Sequence, residues 1–394
     1  LFFVIPDFPQ ASRWRALPLV GGLAAVLLDQ GARAEDTIRY KFQAWNENSN
    51  RIQVNSHYAL FEKALSPTSQ LRVIGTVDTI TGATPTGEPA ETWNGPVPLA
   101  SLEDERTAGS VEVSEQWGRA GITVGYARST ESDYASDGVS LNTVIDFNEK
   151  ATLLRLGVAG TADEIRVFFT DERQDKRTYD LLVGVTQVIN ARTTLTANLT
   201  HGRAEGYLTD PYKIIRRKTE ILPGVVLPLT FPENRPGERE KWIGYVAFNR
   251  AWPEVGAGGA LEASYRLYHD SFGVDSHTVA FGWLQKVREG RVTVHPQARV
   301  YRQSAADFYR VTLDDVAFVP TARPNPAGPF YAADWRLAEL ETLTVGVAVT
   351  WNVRDWLSVD ATYDRYVMRG RDGVTSAQAF PDANVFTLGV RLWR

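Results

Sequence analysis

Two acidic groups hold most of the side chains here that could do chemistry. "LEDER" sets Glu103, Asp104 and Glu105 in a row before Arg106, and "ESDYASDG" sets Glu131, Asp133 and Asp137 before Gly138. Carboxylate oxygens are the donors divalent cations take, and rings of carboxylates select cations in pores. Glu103, Asp104, Glu105, Asp133 and Asp137 are therefore the metal candidates. The second group lacks EF-hand spacing, and for both groups a solvated loop is the simpler expectation. Nucleophile chemistry has less to offer. His57, His201, His269, His277 and His295 are scattered, cysteine is absent, and no G-x-S-x-G, H-E-x-x-H or P-loop sequence occurs. Ser56-His57 and Ser276-His277 are adjacent pairs, which a strand sends to opposite faces. The expectation is a protein that is not an enzyme, with no catalytic residues and no cofactor.

The elements that must position these residues read as strands. "LLVGVTQVI" (181–189), "TLTANLTHG" (194–202), "TLTVGVAVTW" (342–351) and "LSVDATY" (357–363) alternate apolar with small or polar residues. About sixteen such runs are expected. Short turns at 66–70, 118–121, 148–150, 190–193, 253–258, 287–290 and 352–355 alternate with longer connections at 83–107, 133–138, 161–177, 209–240, 304–339 and 369–383. A hairpin series built this way puts all tight turns at one end, as bacterial transmembrane barrels do. Trp117, Trp252, Trp283, Trp351, Trp356 and Trp393, six of the eleven tryptophans, fall beside the short turns, where a membrane interface would hold them. Tyr126, Tyr134, Tyr207, Tyr268, Tyr301 and Tyr366 are placed to form the opposite girdle. The predicted fold class is all-β: a closed antiparallel transmembrane β-barrel of about sixteen strands, with short periplasmic turns and long extracellular loops.

The N-terminal region has a different pattern. Arg13 and Arg15 precede the apolar run Ala16–Leu28, and Ala32-Arg33-Ala34 gives an A-x-A site, the layout of a cleavable signal peptide. Residues 1–34 are expected to be removed, leaving 35–394 as a single barrel domain. That loses three basic and two acidic residues and takes the formal charge from −5 to −6. A mildly acidic exported chain does not fit a nucleic-acid partner.

Five phrases carry a family resemblance: "RIQVNSHYALFEK" (51–63), "DTITGATPTGEP" (78–89), "VPLASLEDERTAG" (97–109), "STESDYASDGVSLNTVIDFNEKAT" (129–152) and "GYLTDPYK" (206–213). Together they resemble the bacterial outer-membrane barrel family catalogued as domain of unknown function 3570, across the whole chain after residue 34. The resemblance implies the outer membrane of a Gram-negative bacterium and no established activity. Genes for periplasmic flavin transferases and thioredoxin-like proteins often accompany the family, which implies a periplasmic redox protein as a partner.

Within a barrel, Asp360, Asp364 and Arg391 are the lumen candidates, with Asp364 and Arg365 unable to share a face. Arg216, Arg217 and Lys218 could meet lipopolysaccharide phosphates, and the apolar "ILPGVVLPLTFP" (221–232) could plug the lumen or cover a partner site. The strand "NVFTLGVRLWR" (384–394) puts Phe386, Leu388, Val390 and Leu392 towards lipid, with Trp393 at the periplasmic rim. It resembles the signal read by the barrel-assembly machinery, except that the aromatic stands one place before Arg394. A pore for a small hydrophilic solute or exported factor is the first functional expectation. A plugged docking barrel for a redox partner, closed by the 209–240 and 304–339 segments, is the second.

Overall fold

The computed structural model describes residues 36–49, 51–92, 94–167, 172–321 and 323–394. The signal peptide expected over 1–34 lies outside them. The strands are β1 (Thr37–Glu47), β2 (Gln53–Ala64), β3 (Ser69–Pro85), β4 (Leu99–Trp117), β5 (Ala120–Thr130), β6 (Tyr134–Phe147), β7 (Thr152–Val167), β8 (Glu172–Asn190), β9 (Thr193–Gly206), β10 (Ile214–Leu222), β11 (Val225–Pro232), β12 (Glu238–Trp252), β13 (Gly259–Asp270), β14 (Asp275–Val287), β15 (Val292–Gln303), β16 (Leu340–Arg354), β17 (Leu357–Gly370) and β18 (Asp382–Trp393). All but β10 and β11 form one closed barrel of sixteen antiparallel strands in chain order. β18 pairs with β1 from Thr37↔Trp393 to Glu47↔Ala383, and backbone bonds between Asp36 and Arg394 extend the seam to the last residue.

Period-two patterning decides which side chain faces which medium. Along β18, Phe386, Leu388, Val390 and Leu392 are 38–45% exposed on the outer wall, whereas Ala383, Val385 and Thr387 are buried on the inner one. Val113, Leu141, Val183, Leu199, Phe281 and Val345 continue this apolar belt on other strands. So continuous a wall of exposed aliphatic side chains is a lipid-facing surface. At the short-turn end Trp117, Trp351 and Trp356 face outward, and the rings of Trp252 and Trp283 pack 5.6 Å apart. Further up the wall, outward Tyr126, Tyr265 and Tyr363 each bond a polar group on the next strand: Asp137 at 2.6 Å, His277 at 2.7 Å and Asn384 at 2.8 Å. An interfacial phenol needs such a partner.

The structure departs from the sequence expectation at the loop end. β4, β6, β7 and β8 run well past their expected limits, so most of 133–138 and 161–177 is strand and the LEDER run lies within β4. Among the expected girdle tyrosines only Tyr126 faces outward. Tyr268, Tyr301 and Tyr366 share the inward parity of Asp270, Gln303 and Asp364 on their strands. The 209–240 connection is not plain loop: β10 and β11 form a separate hairpin above the barrel.

Closure makes the seam indispensable, because an opened sheet would leave two unpaired edges in lipid. Deleting residues 384–394 is expected to abolish the folded barrel, whereas Arg394→Phe should be tolerated. The check is heat-modifiable migration of membrane fractions; a truncated chain that still migrates as a folded barrel would contradict this.

Candidate functional site: lumen wall and cap

The inner wall is built from polar side chains that reach over glycines. Asp360, Gly389 and Lys41 stand side by side on β17, β18 and β1, and the outer two form an ion pair at 3.3 Å. A Cβ built on Gly389 would lie 2.4 Å from the Asp360 carboxylate, so the bridge exists because that side chain is missing. The same register recurs with Asp180, Gly202 and Lys241, whose charges meet at 3.0 Å. It recurs again with Gln297, Gly346 and Asp364, where the Gln297 amide donates to Asp364 at 2.8 Å. Lys176–Asp163 at 2.7 Å and the Glu62–Arg72–Glu112 chain at 2.8 and 3.2 Å add further pairs. The expected lumen residues Asp360 and Asp364 thus belong to bridges along the wall. Arg391 also faces inward and stacks 4.9 Å over the Trp393 ring. Arg365 takes the opposite face from Asp364 and pairs with Asp382 at 2.9 Å. From sequence Asp360, Asp364 and Arg391 were expected in the lumen; their partners Lys41 and Gln297, the Asp180–Lys241 pair and the glycines between them were not, because strand register joins them.

The metal candidates are divided by strand parity. Glu103 and Glu105 point outward from β4 and are exposed, while Asp104 points inward. Asp137 also faces outward, where Tyr126 and the Arg128 guanidinium hold it, the latter at 2.9–3.0 Å. Asp104 and Asp133 do come together, and Glu131 joins them, with one oxygen of each within 4.8 Å of the others. Burial raises the Glu131 carboxyl, and Asp104 and Asp133 push it further. Burial likewise raises Asp133, beside Asp104 and Asp210, and the Tyr212 hydroxyl donates to it.

Above the wall the long connections fold into one body. The Ile214 N–H of the 207–237 connection donates to Thr86 O at 2.9 Å, and Ser376 Oγ donates to Gly95 O at 2.8 Å. The first bond joins connections separated by four strands, β5 to β8, and so reaches over the mouth; the second joins loops separated only by β1 and β2. Leu313 N donates to Arg216 O, Asp307 N to Phe272 O, and Tyr309 bonds Thr375 at 2.6 Å. Three apolar clusters fill the body: one around Phe272, Phe308 and Ala332; a second around Ile215, Leu313 and Tyr331; and a third around Ala338, Leu340 and Phe380. "ILPGVVLPLTFP" divides between cap and solvent: Phe231 packs into the second cluster, while Leu222, Val226 and Leu227 stay exposed at the hairpin tip. Arg217 is absorbed by the carbonyls of Phe318 and Val316 at 2.5 and 3.3 Å; Lys218 is exposed.

A buried ion network clasps the 207–237 and 304–339 connections. Arg235 bonds Glu233 at 2.6 Å and Asp334 at 2.9 Å, and Arg336 bonds Asp334 at 2.5 Å and also Asp210. Glu233 accepts the backbone N–H groups of Ala333 and Asp334, both at 2.8 Å. Burial pushes the Glu233 carboxyl up to about 7 against the pull of Arg235. For Asp334 burial works the same way, but Arg336 and Arg235 outweigh it and hold the carboxyl far below the usual range.

Sixteen strands closed around a polar interior, with an apolar exterior, define a transmembrane-type antiparallel barrel. The chain belongs to the family described as "Protein of unknown function (DUF3570)", whose profile matches residues 14–172 and 166–381. Comparison with curated proteins gives no match. Among solved structures, CdiB from Acinetobacter baumannii is similar at TM-score 0.51 and 8% identity, over 91% of this chain and 60% of that one. The siderophore receptor PirA from Pseudomonas aeruginosa gives 0.45 and 11%, over 92% and 62%. A loop-L8 deletion mutant of OmpT, an outer membrane protein of Vibrio cholerae, gives 0.40 and 8%, over 91% and 98%. The chain spans about three fifths of the first two, and at these identities the likeness concerns the fold alone.

Two outcomes are expected from the wall and the cap. Gly389→Ala should displace Asp360 from Lys41 and cost about 3 kcal/mol, the order of breaking a buried ion pair. In a Lys41→Met/Asp360→Ala background the same change should be nearly neutral, as read from unfolding in detergent. For the crowded carboxylates the folded pKa lies above the unfolded one, so ionisation opposes the folded loop and acid favours it. Asp133→Asn should therefore slow proteolysis of the loops at neutral pH, and its advantage over the parent should shrink as pH falls through the raised pKa values.

Proposed function

We propose that the protein is an outer-membrane channel for a small hydrophilic solute, gated at its extracellular mouth by the folded cap. The observation that carries this reading is the contrast between the two levels of the barrel. The cap's side-chain contacts with the wall fall at loop-end residues such as Tyr268, Tyr301, Gln303 and Met368. Below them the polar wall residues bond to one another along the sheet. Sixteen strands enclose more width than their own side chains fill, so this wall suits a wet path, and the cap is the element that would open or close it. Strand β18, with its outward Phe386, Leu388, Val390 and Leu392, is what the barrel-assembly machinery would read, and the exposed Lys218 is available to lipopolysaccharide.

One observation favours the docking reading as a companion role. Leu222, Val226 and Leu227 stand exposed on the β10–β11 tip, outside the lipid belt. The occupant would be a surface protein, since the tip stands on the loop side, away from the periplasmic redox proteins that the family resemblance implies.

Removing Arg235 and Arg336 leaves Glu233, Asp334 and Asp210 buried with Lys213 as their remaining cationic neighbour, a loss on the order of 3–5 kcal/mol confined to the cap. In planar bilayers the parent should show brief, infrequent conductance steps. Arg235→Ala/Arg336→Ala should show long open dwell times while the barrel stays heat-modifiable. Bilayers that remain sealed with this variant and with the 207–237 connection shortened would contradict a channel.

A further inference from the structure

A cavity of about 200 Å³ lies within the cap, between the 86–98, 304–339 and 371–381 connections. The residues around it have a consistent chemistry. The carboxylates are Glu88 and Glu91, and among the described lining residues there is no lysine, arginine or histidine. The rings of Tyr309 and Trp335 line it, and Val97 and Val374 supply aliphatic surface. The three walls are fixed in place by the Tyr309–Thr375 bond, by Ser376 Oγ donating to Gly95 O, and by the Trp335 ring packed edge-on to Phe380 at 6.0 Å. Asp372, behind the wall, adds negative charge and is held by the Thr375 N–H and hydroxyl.

Negative charge beside π faces and aliphatic surface is the environment in which an organic cation loses little on leaving water. An anion would meet the Glu88 and Glu91 carboxylates, and a neutral apolar molecule would leave them unused. We propose that this cavity is a binding site for a small organic ammonium compound. Its size admits a ligand displacing a handful of waters, each with a share of about 30 Å³, so a compact ammonium fits. The site deepens the channel reading, since its walls are loops whose contacts close the mouth. A ligand bound between them would favour the closed cap by its differential affinity. Binding itself needs no conduction and can be measured apart from it.

The test uses the full chain folded in detergent and reads calorimetry and tryptophan fluorescence with choline chloride as the cation. Its neutral isostere, 3,3-dimethylbutan-1-ol, and sodium acetate serve as controls. Choline should bind saturably at one site per barrel, with the isostere about tenfold weaker or worse, the scale of losing a charge over aromatic and carboxylate groups. Acetate should give no signal. Glu88→Gln/Glu91→Gln should weaken choline by about tenfold while heat-modifiability and bilayer conductance stay unchanged. Trp335→Phe keeps a ring in place and should weaken choline less than Trp335→Leu does. Equal binding of choline and the isostere, unchanged affinity in the double glutamine variant, or no choline signal at millimolar concentration would each overturn the proposal. A sealed bilayer with intact choline binding would instead count against the channel alone.

Discussion

The pairing of β1 with β18 is the constraint on which the rest of the molecule depends. In lipid an unpaired backbone N–H has no water to turn to, so the sheet must close. Once sixteen strands have closed, the interior is wider than their side chains can fill. Two consequences follow, and both are visible in the residues. The inner wall must be polar and must satisfy its own charges locally. The mouth must be covered by chain from the connections, if it is to be covered at all. Here the Ile214–Thr86 bond joins connections separated by four strands over it.

The wall solves its problem with glycine. A carboxylate on one strand and an ammonium or amide two strands away are too far apart to meet over an intervening side chain. With Gly389, Gly202 or Gly346 between them, the partners fold down over the bare backbone and touch. The cost is the lower strand propensity of glycine, about 1 kcal/mol at most on host-protein scales. Leaving one buried charge unpaired would cost several times more. That inequality explains why glycines sit in the middle of strands that otherwise read as good β sequence. It also means that these charges stiffen the wall tangentially, between strands, instead of projecting across the lumen.

How much of this could be read in advance follows from the range of each interaction. The strand count, the lipid-facing side of β18 and the tryptophan rim are set by alternation and turn chemistry within a few residues, and all were legible. Strand ends at the loop side were not: β4, β6, β7 and β8 extend because each continues to pair with its neighbour above the membrane, where polar residues erase the alternation signal. For the same reason the Glu103–Asp104–Glu105 run read as one acidic loop, whereas pleating sends Asp104 one way and its neighbours the other. Glu131 and Asp133 meet Asp104 because β4 continues past Thr107↔Thr130, its last pair with β5, and so runs beside the β5–β6 turn. Asp210, Glu233, Arg235, Asp334 and Arg336 were silent in the sequence, being separated by up to 126 residues and joined only by the fold of two long connections.

The cap is held differently from the wall beneath it, and the difference has mechanical meaning. Wall bridges are backed by continuous backbone ladders on both sides, so a broken bridge leaves the strands in place. The cap has short β10–β11 pairing, three small apolar clusters and the Arg235–Arg336 network. Its ion pairs are worth much while dry, because separated charges in a low dielectric are strongly attracted, and little once water enters. A body held that way does not loosen gradually: the first water admitted weakens the contacts that excluded the second. The closed sheet resists that kind of failure through its backbone ladder, so opening would be confined to the cap. The barrel therefore joins a wall that cannot yield to a cover held by interactions that fail together.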